Sequence, residues 1–196
     1  MKYLSIDTET TGLSAKDHQL LEVSFILEDT NDIKPLDELP CLTLRIEYDE
    51  IHGTPYAINM NKSIIEEMSK HPKDRKWECI KPDEVFSSLR LWFSQVGLHP
   101  KYAGGHVTIN AAGKNFNGFD RGFIEKILAQ DETWDNQIRF RVRQIDPAIL
   151  YVDWKNDEAL PDLKTCKERN GLEGYVSHTS YEDALDVIKL LRPQYS

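Results

Sequence analysis

Before any helical period begins, the chain runs through three stretches that carry the period-two pattern of a strand. Residues 2–9 alternate apolar and polar side chains, and residues 21–27 set Leu21, Val23, Phe25 and Leu27 against Glu22 and Ser24. Residues 41–48, CLTLRIEY, form the third stretch. The connection between the second and third, DTNDIKPLDELP, is rich in Asp, Asn and Pro and reads as a surface hairpin connection. Three consecutive strands joined in this way predict an antiparallel meander.

Helical spacing then takes over. Ser63 and Glu66 stand in the Ser-x-x-Glu spacing of a capping box, which predicts a helix start there. Val85, Phe86, Leu89, Trp92, Phe93 and Val96 recur at helical spacing over 83–96, with Gly97 as the stop. Residues 106–112 read as a buried strand. Residues 119–128 read as a helix with Phe119, Phe123, Ile124, Ile127 and Leu128 on one face. The strand IRFRVRQI, 138–145, runs into Asp146-Pro147, an N-cap followed by a proline at the first helical position. Two helices close the sequence, one from Pro161-Asp162 to Gly171 and one over 180–191. The expectation is a mixed α/β domain of 1–196, with a three-strand antiparallel meander, further parallel strands and flanking helices.

At 196 residues, 40% apolar and 29% charged, the chain has the core material of one ordered domain, and disorder and disulfide-scaffold classes are excluded. Three widely spaced cysteines, Cys41, Cys79 and Cys166, fit a reducing compartment, and a cytoplasmic location is expected. No 18-residue apolar run is present, and Asp7 interrupts any signal-peptide core, so neither a membrane span nor export is expected. The net charge of −9 speaks on its face against a polyanion partner.

Three constellations carry chemistry. Asp7 and Glu9 lie two apart in an extended strand and so project from one face, about 6.5–7 Å apart, where like charges call for a counter-ion. Oxygen-only ligands suit Mg²⁺ or Mn²⁺, although a solvated edge strand carries such a pair too. The Thr10-Thr11-Gly12 turn follows directly. Asp120 sits in or near the first turn of its helix, after the polar loop Gly113 to Gly118. There it is either a dipole-stabilising acid or a third carboxylate facing the pair. Last, Thr179-x-x-Glu182 or Ser180-x-x-Asp183 can box the final helix, placing Asp183 in its first turn and His178 on the lead-in, where an imidazole suits general-base work.

Taken together these residues resemble the DEDDh 3′→5′ exonucleases, the group that includes polymerase proofreading subunits, ribonuclease T and oligoribonuclease. Asp7, Glu9, Thr10, Thr11 and Gly12 match the Asp-x-Glu-Thr-Thr-Gly motif, Phe119 and Asp120 the second motif, and His178 and Asp183 the third. Thr179 stands where the sister DEDDy group has tyrosine. Glu22 and Asp146 agree with the family as well. Asn115 lies five residues before Asp120, where many relatives have the asparagine at four, and Asn117 is an alternative.

The resemblance implies a ribonuclease H-like sheet and a two-metal-ion mechanism using Mg²⁺ or Mn²⁺. Asp7 would bridge both ions, Glu9 and Asp183 would complete one site, Asp120 would hold the second, and His178 would deprotonate the attacking water. Thr10, Thr11, Gly12, Leu13, Asn115, Phe116 and Phe119 are the implied substrate contacts, the two phenylalanines by base stacking. Single-stranded DNA or RNA 3′ ends are the implied partner, with Lys114, Arg121, Arg139, Arg141 and Arg143 as candidates for phosphate contacts. Only five residues follow the last helix, so no polymerase-tethering tail is evident, and dimers among the RNA-processing relatives leave a homodimer open. Two rival readings are a catalytically inactive exonuclease-like module that binds nucleic acid or a partner protein, and a Ca²⁺-binding protein without nuclease activity. The complete set of four acids and a histidine argues against the first, and the absence of EF-hand spacing against the second.

Overall fold

The computed structural model describes residues 1–172 and 179–196. β1 (Lys2–Thr10) and β2 (Leu20–Asp29) pair antiparallel, with Asp7 opposite Ser24 and Glu9 opposite Glu22, and β3 (Cys41–Arg45) pairs antiparallel with β2. The meander matches the sequence pattern, but its third strand ends at Arg45. Beyond it Ile46 is fully buried: its N–H still donates to Leu21 O of β2, and it also bridges to Ile80.

α1 (Pro55–Met60) and α2 (Lys62–Met68) follow. Thr54 caps α1 through Ala57 N, with Pro55 in the first turn, a start signal that the period-based reading passed over. Ser63 and Glu66 lie inside α2, so their spacing does not mark its start. Asn61 is the N-cap, and Glu66 pairs with Lys62 on the exposed side.

α3 (Val85–Gln95) buries Val85, Phe86, Leu89, Trp92 and Phe93, as its period predicts. The 106–112 stretch divides into β4 (Val107–Ile109) and β5 (Ala111–Ala112). Asn110 makes the joint: its carbonyl accepts from Leu4 N and its side chain donates to Lys2 O. β5 thereby pairs parallel with β1, while β4 pairs parallel with β6 (Ile138–Phe140). The 138–145 stretch leaves its strand after Phe140, and Ile145 rejoins by a bridge to Ala112. The main sheet is mixed, in the order β3-β2-β1-β5. α4 (Asp120–Leu128), α5 (Ala148–Tyr151), α6 (Leu163–Arg169) and α7 (Ser180–Leu191) complete the described elements.

The sheet is covered on both faces. Leu4 and Ile6 of β1 and Val23 and Phe25 of β2 pack with α3 and α4, around Phe86, Leu89, Phe123 and Ile124. Tyr3, Ile26 and Ala112 pack instead with Ala184, Val187, Ile188 and Leu191 of α7. Alternation along β1 therefore sends Thr8 toward the α4 side and Ser5, Asp7 and Glu9 toward α7.

Candidate active site

The α7 face of the sheet is polar where the helix begins. Ser180 N and Oγ donate to Glu22 Oε1 at 3.1 and 2.7 Å, and Ser5 Oγ donates to Ala184 O at 2.7 Å. Ser180 Oγ also lies 2.8 Å from Ser24 Oγ. Thr179 caps the helix through Glu182 N and its hydroxyl donates to Glu182 Oε2, so the cap sits at Thr179 and not at Ser180. These contacts fix the first turn of α7 against β1 and β2. The result is a cluster: carboxylate oxygens of Asp7, Glu9 and Asp183 all lie within 4.8 Å of one another.

The electrostatics of that cluster are those of crowded acids short of a cation. Enclosure by protein raises the Asp7 carboxyl well above its ordinary range, and the charges of Asp120, Asp183, Glu9 and Glu22 push it further. Burial, then Asp183 and Glu22, raises Glu9 to about 7. Burial and Asp186 raise Asp183 to about 6, with Lys167 opposing. Among the described residues Asp183 Oδ1 is buried without a hydrogen-bond partner, a costly position for a carboxylate oxygen unless a ligand or proton meets it. The donors are all hard oxygens, so the residues fit a divalent Mg²⁺ or Mn²⁺.

Asp120 stands apart from the three. Its Oδ1 accepts a 2.6 Å hydrogen bond from Thr8 Oγ1, on the α4 side of β1, because Thr8 has the opposite parity to Asp7 and Glu9. Burial raises its carboxyl to about 7, against the lowering effect of that hydroxyl and of backbone donors. Asp120 remains close enough to Asp7 to be the largest charge acting on it. His178 lies outside the described residues.

The remaining sequence candidates divide by burial. Leu13 projects from the site loop with 85% of its surface exposed, and Asn115 is exposed as well. Thr10, Thr11 and Gly12 are buried: Thr10 Oγ1 donates to Gly12 O, and Thr11 Oγ1 accepts from Gln19 N. A Cβ on Gly12 would come within 2.5 Å of the His18 ring, and one on Gly53 within 2.2 Å of Thr11 O, so the loop is built around close backbone approach. Phe116 is a correction. It is fully enclosed, its ring 5.5 Å from that of Phe140, and it cannot stack on a base. Phe119 is half-buried against Phe123.

Asn115 adopts φ 58° and shapes the turn, its N–H donating to Asp146 Oδ2. Asn117 is committed to the 142–144 segment through Val142 O and Gln144 Oε1. Among the candidate phosphate contacts, Lys114 pairs with Asp146 and Arg121 with Glu125.

Asn61 is a site residue that the sequence did not reveal. It is buried between α1 and α2, donates to Thr10 O at 3.0 Å, and favours the charged form of Glu9, opposing that residue's upward shift. No spacing marks it, because it arrives from a loop about fifty residues along the chain.

No protein-family model and no curated protein sequence matches this chain. Solved structures do. Exonuclease I of E. coli in complex with a dT13 oligonucleotide superposes with a TM-score of 0.62 at 15% identity, over 98% of this chain and 40% of that one. A moderately thermophilic exonuclease I from Methylocaldum szegediense gives 0.62 at 16%, over 98% and 40%. The zinc-bound E. coli ExoI–ssDNA complex gives 0.59 at 15%, again over 98% and 40%. The chain thus spans about two fifths of the length of these neighbours, and what it shares with that part of them is the fold.

Proposed function

We propose that this chain is a divalent-metal-dependent 3′→5′ exonuclease that removes nucleoside 5′-monophosphates from the 3′ end of single-stranded DNA or RNA. The observation that carries the proposal is the Asp7, Glu9 and Asp183 cluster with its orphaned Asp183 oxygen, at the end of β1 in a fold shared with exonuclease I. In this reading residues 1–196 form one exonuclease unit of ribonuclease H-like arrangement. Its three thiols are free, and the cytoplasm is its proposed location.

Asp7, Glu9 and Asp183 would hold one Mg²⁺ or Mn²⁺, and Asp7 with Asp120 a second. When bound, such ions offset the phosphate charge, lower the pKa of a bound water and stabilise the leaving 3′-oxygen. The chain's own residues do the rest. Glu22 and Ser180 lock α7 so that Asp183 meets the β1 acids. Thr8 orients Asp120, and Asn61 holds the Thr10 backbone next to Glu9. His178 is proposed to take the proton of the attacking water. Leu13, exposed beside the acids, is proposed to wedge the terminal nucleotide, and Phe119 to touch its base, while Phe116 belongs to the core.

Neighbouring structures hold dT13 and dA16 oligonucleotides, which supports single-stranded DNA as the first substrate to test. The test is a parallel digestion of matched DNA and RNA oligonucleotides, single and double stranded, with Mg²⁺ and with Mn²⁺. Mononucleotide release from single strands is expected. Purified protein that binds these strands and releases no mononucleotide with either ion would point to the inactive binding module.

A further inference from the structure

Arg45, Arg75, Arg121, Arg169 and Arg192 each hold a carboxylate. Arg139, Arg141 and Arg143 do not: among the described residues none of the three has an ion-pair partner, although acids outnumber bases by 33 to 24. All three line one groove of about 500 Å³, together with His106, Thr108 and Val142, the last 81% exposed. Nothing pairs with the outer edge of β6 among the described strands, so the groove is open along that side. In a chain of net charge −9, three unneutralised guanidinium groups gathered in one groove are a local positive field that folding alone does not require.

The groove is also tied to the candidate active site. Its Val142, and Gln144 just beyond the lining, accept hydrogen bonds from Asn117, in the loop that leads directly into Asp120. Arg121, one residue beyond Asp120, donates to Asn117 Oδ1 at 3.4 Å and reinforces the joint. Arg141 N donates to Ile109 O, which holds the basic segment against β4. A strand whose 3′ end lies at the acids therefore has a basic channel next to the loop that carries Asp120.

We propose that this groove binds the phosphodiester backbone of the nucleic acid upstream of its 3′ end, with Arg139, Arg141 and Arg143 on successive phosphates and Val142 against a base or sugar. The proposal rests on the nuclease reading for its direction and on the groove alone for its chemistry. It gives the enzyme a length preference: strands long enough to reach the groove bind more tightly than short ones, and the gain is electrostatic and not base-specific.

The test is fluorescence anisotropy of single-stranded oligonucleotides of about 3 and about 15 nucleotides, with Ca²⁺ in place of Mg²⁺, over a salt series. Wild type is compared with R139Q/R141Q/R143Q and with R90Q, an arginine elsewhere on the surface. Unchanged far-ultraviolet circular dichroism and melting temperature establish that the variants fold. The triple variant is expected to lose on the order of 10-fold or more affinity for the long strand and clearly less for the short one. Its slope of log affinity against log salt should fall by about 2, from roughly 0.7 per phosphate contact, with R90Q like wild type. An unchanged salt slope and long-strand affinity in the triple variant would overturn the groove. The nuclease reading is judged separately by digestion with Mg²⁺: a protein that binds long strands through the groove but cleaves none keeps this proposal and loses that one.

Discussion

Each acid of the site has a task set by which way its side chain points. Asp7 and Glu9 were legible in the sequence as a pair because strand parity alone places them on one face. Asp120 was legible as an acid near the site, but the same parity that pairs Asp7 with Glu9 puts its partner Thr8 on the opposite side, a division that no motif displays. Asp7→Asn and Asp183→Asn are each expected to abolish metal-dependent cleavage while leaving the melting temperature in EDTA unchanged or higher, since each removes a charge from a repelling cluster. A fall of several degrees in either variant would mean that the carboxylate holds the fold.

The raised carboxyls also fix a pH dependence. Glu9 and Asp183 titrate near 7 and 6 in the folded protein and near 4 when unfolded, so the native state binds more protons through this window. The stability they contribute is present below pH 4 and is lost as pH rises through about 7. Thermal melts in EDTA are expected to show a stability that declines from pH 5 to pH 8 on this account, and Mn²⁺ at pH 8 is expected to restore it, because a cation replaces the protons. Phe116→Ala is expected to cost about 3–5 kcal/mol in denaturant unfolding, the signature of a core ring and not of a base-stacking one.

At the scale of elements, α7 decides whether a site exists. The odd-numbered face of β1 and the even-numbered face of β2 carry Ser5, Glu22, Ser24 and Glu28, which alternation alone would leave to water. Here α7 covers them, and each finds a partner: Ala184 O, Ser180, and the Arg192 guanidinium on Glu28 at 2.8 Å. Glu22 also pairs with Arg45 at 2.8 Å, so Glu22→Ala strands both Ser180 and Arg45. It is expected to cost about 3–5 kcal/mol and most of the activity, whereas Ser180→Ala is expected to cost about 1 kcal/mol, both read by urea unfolding and initial rates. The bounds of α3, α4 and α7 were readable because their apolar periods are long, and α7 is also capped by Thr179. The division of 106–112 into β4 and β5, and the early end of β6, were not, since two- and three-residue strands are defined by partners distant in sequence. α1 carried a readable start in Thr54-Pro55, yet its six residues are too few for a period.

At the scale of the molecule, charge is distributed by role. The meander and the mixed α/β class were legible, but a net charge of −9 taken as one number says nothing of where the charges lie. Asp7, Glu9 and Asp183 are concentrated between β1 and α7, and Arg139, Arg141 and Arg143 gather in the groove at β6 and the segment after it. No described helix is long and apolar enough to cross a membrane. These acids and a divalent cation are proposed to shorten a nucleic acid from its 3′ end. The direct measurement is a time course with a 5′-labelled single-stranded oligonucleotide, with Mg²⁺ or Mn²⁺ and with EDTA, for wild type and Asp7→Asn. The expected result is a ladder that shortens one nucleotide at a time and releases 5′-monophosphates, absent in EDTA and absent in the variant. Internal cuts, a ladder that persists in EDTA, or equal activity in Asp7→Asn would contradict it.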